Sequence, residues 1–177
     1  ANGQPTIARV QAQTLTPPGN DVRAVAWSTL RGLKPSYKLS DEAIAGAKLQ
    51  DLHDAGNGPL IAHFDQEIDG IPVFRRSLKI AMDRDMNPQF VSGNFAPSTV
   101  KVADQWSLDE TVAVSAAFRA MNGSKSAVSR VSFTGKRSGG YMALELESTP
   151  DIEGLIQTGP ARVRKTWYPT EDGLVPA

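Results

Sequence analysis

The stretch His63–Pro97, HFDQEIDGIPVFRRSLKIAMDRDMNPQFVSGNFAP, decides the fold. It reads as three strands joined by two turns. Leu60, Ala62, Phe64 and Ile68 share one parity while His63, Asp65 and Glu67 take the other, the period-two alternation of a half-buried strand. Asp69-Gly70 follows at once, a pair suited to a two-residue hairpin turn whose central positions both want φ > 0. The second strand continues the alternation: Phe74, Leu78, Ile80 and Met82 point one way, Arg75, Ser77, Lys79 and Asp83 the other. On this parity Phe74 and Leu78 are expected to be buried together, against a helix starting near Asn20 or against a neighbouring sheet. A polar turn at Asp85–Pro88 leads into a shorter strand, Phe90–Phe95. Pro72 belongs at a strand start or edge, because it has no N–H to give to a ladder.

Outward from this stretch, the N-terminal residues Ala1–Gly19 read as an extended arm with an edge strand over Thr6–Thr14. Asn20 or Asp21 then caps a helix in which Val22, Val25, Ala26, Thr29 and Leu33 fall at helical spacing, and Gly32 with Pro35 stops it. Trp27 reads as a packing residue. Ser40-Asp41-Glu42 is a second helix start, a hydroxyl cap followed by acids in the first turn. Propensity allows that helix to run as far as His53. The preferred reading ends it near Gly46 and folds a strand, Ala47–His53, back through Asp54–Gly58 onto Leu60–Ile68, since Asn57-Gly58 is a hairpin signal. Ser98–Gln105 reads as a linker. Ser107-Leu108-Asp109-Glu110 has the form of a capping box. The helix it opens runs to about Met121, with Val114, Ala117, Phe118 and Met121 as its inner stripe and Asn122-Gly123 as a left-handed end. Strands are expected at Ser129–Phe133, Tyr141–Glu147 and Ala161–Tyr168, with a last one beginning at Leu174. Helix and then antiparallel strands therefore occur twice, and the fold class is α+β with antiparallel sheets each packed with a helix.

Composition bounds what such a chain does. Its 177 residues, 40% apolar, suffice for one domain or two small ones. Nineteen basic and nineteen acidic residues cancel, which argues against a nucleic-acid partner or an anionic membrane surface. No run approaches the ~18 apolar residues of a membrane span. There is no cysteine, hence no cysteine nucleophile. Two histidines and no H-E-x-x-H leave no basis for a zinc-protease centre in this chain. His53 and His63 fall on neighbouring strands near Asp65; two partly exposed strand histidines are favoured over a metal site. Asp83-x-Asp85-x-Asn87 imitates the start of a calcium loop, but Pro88 stands where the sharp-turn glycine belongs and Asn94 where the bidentate glutamate belongs. Gly135-Lys136-Arg137-Ser138-Gly139-Gly140 is glycine-rich and basic, yet no helix follows it as a phosphate loop requires, so it reads as a hairpin loop. Arg75-Arg76 is the unusual feature of the central hairpin. Arg76 shares parity with Leu78 and Ile80, so its head must snorkel outward or find a carboxylate.

His63-Phe64, Gln66, Gly70-Ile71-Pro72-Val73-Phe74 and Ser77, with Asp69, Leu78, Asp83 and Val91-Ser92-Gly93-Asn94, resemble the FTP motif of the propeptides of fungalysin- and thermolysin-type zinc proteases. The chain departs from that motif twice. Arg75-Arg76 stands where the family has a small residue or glycine after the Val-Phe pair, and Met86 where the second turn has a glycine. Lys165-Thr166-Trp167-Tyr168-Pro169 and Gly173-Leu174-Val175-Pro176-Ala177 resemble the end of a fungalysin proregion, where the family continues into another strand. The resemblance implies an arm and helix over 1–37, an FTP domain over 38–97, and a PepSY- or cystatin-like half over 98–177 that stops before its last strand. It implies a secreted, non-catalytic propeptide that inhibits its metalloprotease and assists that protease's folding. No cofactor is expected in this chain; the zinc would belong to the partner catalytic domain. Arg75 and Arg76 are the candidate partner contacts. A free-standing FTP/PepSY binding module, or a secreted structural or adhesion domain, are the alternatives.

Overall fold

The computed structural model describes residues 5–10, 21–96, 101–103, 105–122, 128–148 and 159–177. Its fold is α+β, with two sheets and four helices among the described residues. The chain divides into two compact units, Ala1–Asp104 with Thr166–Ala177, and Gln105–Lys165. That grouping differs from the boundaries expected at 37 and 97. The N-terminal helices share the core of the first sheet, and the last twelve residues return to that sheet.

The first unit opens with β1 (Ile7–Arg9), a short piece of the expected edge strand. Helix α1 (Val22–Gly32) starts at Asp21, whose carboxylate accepts the Arg23 N–H at 3.0 Å. Its Val25, Ala26, Thr29 and Leu30 are buried at helical spacing. The Thr29 hydroxyl, sealed from water, donates to the Val25 carbonyl four residues back. Leu33 leads into α2 (Lys34–Tyr37), which carries Pro35 in its first turn and ends on Lys38 in the left-handed conformation. Ser40 caps α3 (Asp41–Ala45) by accepting from Ala43 N–H at 3.1 Å. That helix ends at Gly46, and β2 (Ala47–Asp54) folds back onto β3 (Leu60–Ile68), the hairpin preferred from the sequence.

Strands β4 (Ile71–Met82) and β5 (Pro88–Asn94) complete an antiparallel sheet in the order β1-β5-β4-β3-β2. Asp69 and Gly70 both have positive φ, 53° and 75°, as the tight β3–β4 turn requires. Leu60, Ala62 and Phe64 of β3, Leu78, Ile80 and Met82 of β4, and Val91 of β5 bury one face against Val25, Ala26, Leu30 and Tyr37. Each Val, Leu, Ile, Met or Phe among them contributes about 1.5–3 kcal/mol by leaving water. Trp27 is a packing residue at the margin of this core, its ring edge-on to Phe64 at 4.9 Å.

Phe74 departs from the expected parity. Asp65 pairs with Ser77 and Glu67 with Pro72, so four residues, Val73–Arg76, stand against the single residue Gln66. This bulge breaks the alternation: Leu78 is fully buried, Phe74 is 38% exposed, and Arg75 takes φ 52°. The bulged segment is held by β9 (Trp167–Pro169), which joins β4 in parallel through Val73 and Trp167 and pairs with β10 (Leu174–Pro176). The expected strand Ala161–Tyr168 is therefore two strands with different partners.

The β4–β5 turn is organised by Asp83. Its carboxylate accepts from the backbone N–H of Asn87 at 2.8 Å and of Asp85 at 3.0 Å, and from the side-chain amides of Asn87 and Gln89. This is an Asx turn made from the residues that imitate a calcium loop. The Asn87 N–H, the strongest of these donors, and its companions hold the Asp83 carboxyl below the ordinary carboxylate value of 3.8. A depressed native pKa means stability that is complete above the unfolded value and lost as the pH falls from there through the lower native one. Thermal melts should therefore show Asp83→Asn less stable than the wild type at pH 7, the two curves converging as the pH drops below about 4. Parallel curves would show that Asp83 does not titrate with folding.

In the second unit, α4 (Glu110–Asn122) is followed by the antiparallel sheet β6 (Val128–Ser138), β7 (Tyr141–Ser148) and β8 (Ala161–Val163). The N-terminal cap is Asp109 and not the expected Ser107. Asp109 accepts from the Thr111 and Val112 N–H groups and from the Thr111 hydroxyl at 2.6–2.9 Å, and a carboxylate is the stronger acceptor. The inner stripe is also shorter than expected. Val114 and Phe118 are half-buried, whereas Ala117 is exposed and Met121 is 76% exposed. The expected left-handed end at Gly123 lies outside the described residues.

Candidate protein-contact surface

The residues of the central motif divide into a buried frame and an exposed face. Phe64 and Gln66 are fully buried, and Val73 nearly so. Gln66 acts as an extra stretch of backbone: its Nε2 donates to the Ala96 carbonyl at 3.1 Å and its Oε1 accepts the Ala96 N–H at 2.7 Å. Gly70 completes the tight turn, and half-buried Ile71 and Pro72 pair with Ile68 and Glu67. Ser77 sits between Asp65 and Asn94. His63, half-buried, places Nε2 3.3 Å from Asp65 Oδ1. The β2–β3 register puts His53 opposite Ile61 and His63 opposite Asp51, so the two histidines are diagonal neighbours on one face. Among the described residues no three His, Asp or Glu side chains converge.

The exposed face is built on the β4 bulge. Phe74 stacks on Tyr168 of β9, centroids 5.5 Å apart and planes at 26°, and Tyr168 is 47% exposed. The Arg75 guanidinium lies 5.2 Å from the Phe74 ring centroid, a cation–π contact that keeps the charge at the surface. Beneath this face the frame is closely tied. Trp167 is buried and its Nε1 donates to the Ile68 carbonyl at 3.2 Å, while the Thr166 hydroxyl donates to the Pro72 carbonyl at 2.8 Å. Lys101 lies over the Trp167 ring and pairs with Asp69 at 2.6 Å. Arg76 turns inward instead. It donates to Asn94 Oδ1 at 2.5 Å, an amide and not the expected carboxylate, and its buried Nε has no partner among the described residues.

The structure thus joins Phe74 and Arg75 at the surface and separates Arg76 from them. It adds Tyr168, which the sequence pattern places at the end of a longer strand. The signal that could have marked it is the run Arg164-Lys165-Thr166, three polar residues that interrupt the strand pattern before Trp167. Two stacked aromatics capped by a guanidinium, on backbone pinned from both sides, form the kind of rigid amphipathic cluster that anchors protein contacts. Neither a search against models of known protein families nor a search of curated proteins returns a match to this chain.

Proposed function

We propose that this chain is the proregion of a fungalysin-type secreted zinc metalloprotease, with an FTP domain and a PepSY- or cystatin-like half, and that it inhibits and helps to fold the catalytic domain. The observation that carries the reading is backbone conformation at the two departures from the motif. Arg75 and Met86, which stand where the motif has glycine or a small residue, both have positive φ, 52° and 63°. Only glycine adopts that conformation without cost, so the turn geometry is the one the motif's glycines would serve. On this reading an arginine stands on the outside of the bulge, on backbone of the kind a glycine there would take.

The chemistry follows from linkage. A proregion that binds the folded protease and not its unfolded chain stabilises the fold by RT ln(1 + [L]/Kd). The same contact, laid over the substrate cleft, excludes substrate. The zinc belongs to the partner, and this chain supplies the rigid Phe74–Tyr168 pair and the Arg75 charge. The experiment is a titration of the mature protease with this chain, together with a refolding assay. Inhibition and a raised refolding yield are expected at micromolar chain. Phe74→Ala should weaken inhibition about tenfold or more, as loss of an aromatic anchor does. Arg75→Gly retains the positive φ and should leave stability within about 1 kcal/mol, while slowing association, more so at low salt. Unchanged protease activity and refolding in the presence of the wild-type chain would remove the inhibitor–chaperone reading and leave a free-standing module or a structural domain.

A further inference from the structure

In the second unit, positive charge collects at one end of the three-stranded sheet. Gly139 and Gly140, φ 57° and 78°, turn β6 into β7. Ala143 pairs with Arg162 and Met142 with Val163. Alternate residues share a face, so Tyr141, Ala143, Arg162 and Arg164 stand on one side. The Arg164 and Arg162 guanidinium carbons lie 4.5 and 5.3 Å from the Tyr141 ring centroid. Lys136, Arg137, Ser138, Tyr141 and Arg162 line a concavity of about 230 Å³. Among the described residues no carboxylate lies within ion-pair distance of Lys136, Arg137, Arg162 or Arg164, although four lysine– or arginine–carboxylate pairs are formed elsewhere, all in the first unit. The chain as a whole is neutral, so this cluster is not the by-product of a basic protein.

Two guanidinium groups over one ring, with Lys136 lining the same concavity, repel one another, and cation–π contact lessens that cost without cancelling any charge. A guanidinium over a ring spends its face on the contact and leaves the N–H groups of its edge free to donate. Two such forks, with a lysine and a hydroxyl at the rim, supply charge and donors to an acceptor whose oxygens point in several directions. A carboxylate holds its acceptor sites in one plane; a tetrahedral group presents them in several directions and can meet both forks.

We propose that the concavity at Tyr141 binds a tetrahedral oxyanion, the phosphate or sulfate group of a free ion or of a larger ligand. This inference does not depend on the proregion reading. The test titrates the full, isotope-labelled chain with inorganic phosphate and inorganic sulfate at fixed ionic strength, with chloride as reference. Saturable amide shifts confined to residues 136–143 and 161–164 are expected. Arg162→Gln together with Arg164→Gln should weaken binding about tenfold or more, and Arg164→Lys, which keeps the charge but loses the fork, by less. A second arm uses a sulfated disaccharide: affinity above that of inorganic sulfate assigns a carried group, and equal affinity a free ion. Non-saturating shifts equal to those in chloride, or shifts shared with Arg75 and Arg84, would overturn the proposal, and the wild-type titration is enough to do so even if the double variant misfolds.

Discussion

Gly93→Ala is expected to cost roughly 3–5 kcal/mol, a large part of the stability of a domain this size. Two costs coincide there. Gly93 lies in β5 opposite Leu78 with φ 92°, a conformation that strains any L side chain by about 1–3 kcal/mol. A Cβ at that position would stand 2.2 Å from the Ser77 carbonyl oxygen and 3.2 Å from its carbon, so backbone of β4 would have to move. The two costs can be separated within the same unit. Gly58 has neither feature, Gly56 has φ 83° but open space, and Gly46 has φ −80° but a Cβ position 2.1 Å from the Glu67 carbonyl oxygen. Urea unfolding of the four alanine variants should rank Gly58 near zero, Gly56 and Gly46 intermediate, and Gly93 worst, with little change in m value. A Gly93→Ala loss no larger than that of Gly56→Ala would mean that β4 and β5 do not approach each other as described.

The elements legible in the sequence were those fixed by local chemistry. Asp21 and Ser40 cap helices because their oxygens meet orphan N–H groups a few residues on, and Asp69-Gly70 turns because both positions tolerate positive φ. The parity of β3, and that of β4 from Leu78 onward, follows from burying one face against α1. What the sequence did not disclose depends on distant parts of the chain. The bulge at Val73–Arg76 exists beside β9, where Trp167 and the preceding Thr166 reach Ile68 and Pro72 from more than ninety residues away. No local pattern encodes that meeting, so parity alone puts Phe74 on the wrong side and misses its partner Tyr168. The candidate surface was half visible for the same reason: Phe74 and Arg75 are neighbours in the central hairpin, while Tyr168 arrives by topology. The cap of α4 failed differently. Ser107 and Asp109 both suit the role, and the choice turned on which oxygen accepts more donors.

One buried polar residue yields the second large effect. Gln66 has the parity of Phe64 and Ile68, and a polar side chain placed inward must carry a partner with it. Its partner is the backbone of Ala96, met through both a donated and an accepted bond in a region closed to water. Gln66→Leu fills similar space but leaves the Ala96 N–H and C=O unpaired, and should cost roughly 2–5 kcal/mol. Gln66→Glu asks a sharper question. A glutamate there can accept the Ala96 N–H in either charge state, but only its protonated form can donate to the carbonyl, and burial disfavours the anion. Its native pKa should therefore rise above the unfolded value near 4.3. The sign follows: relative to wild type, the variant is nearest to normal stability at or below about pH 4 and loses ground as the pH rises through the raised pKa. Differences in melting temperature between Gln66→Glu and wild type, taken at each pH so that the acid losses at Asp83 and other carboxylates cancel, should widen from pH 4 to pH 7. A difference that stays constant over that range would mean that the carboxylate reaches water, and that residue 66 does not tie the end of β5 into the core.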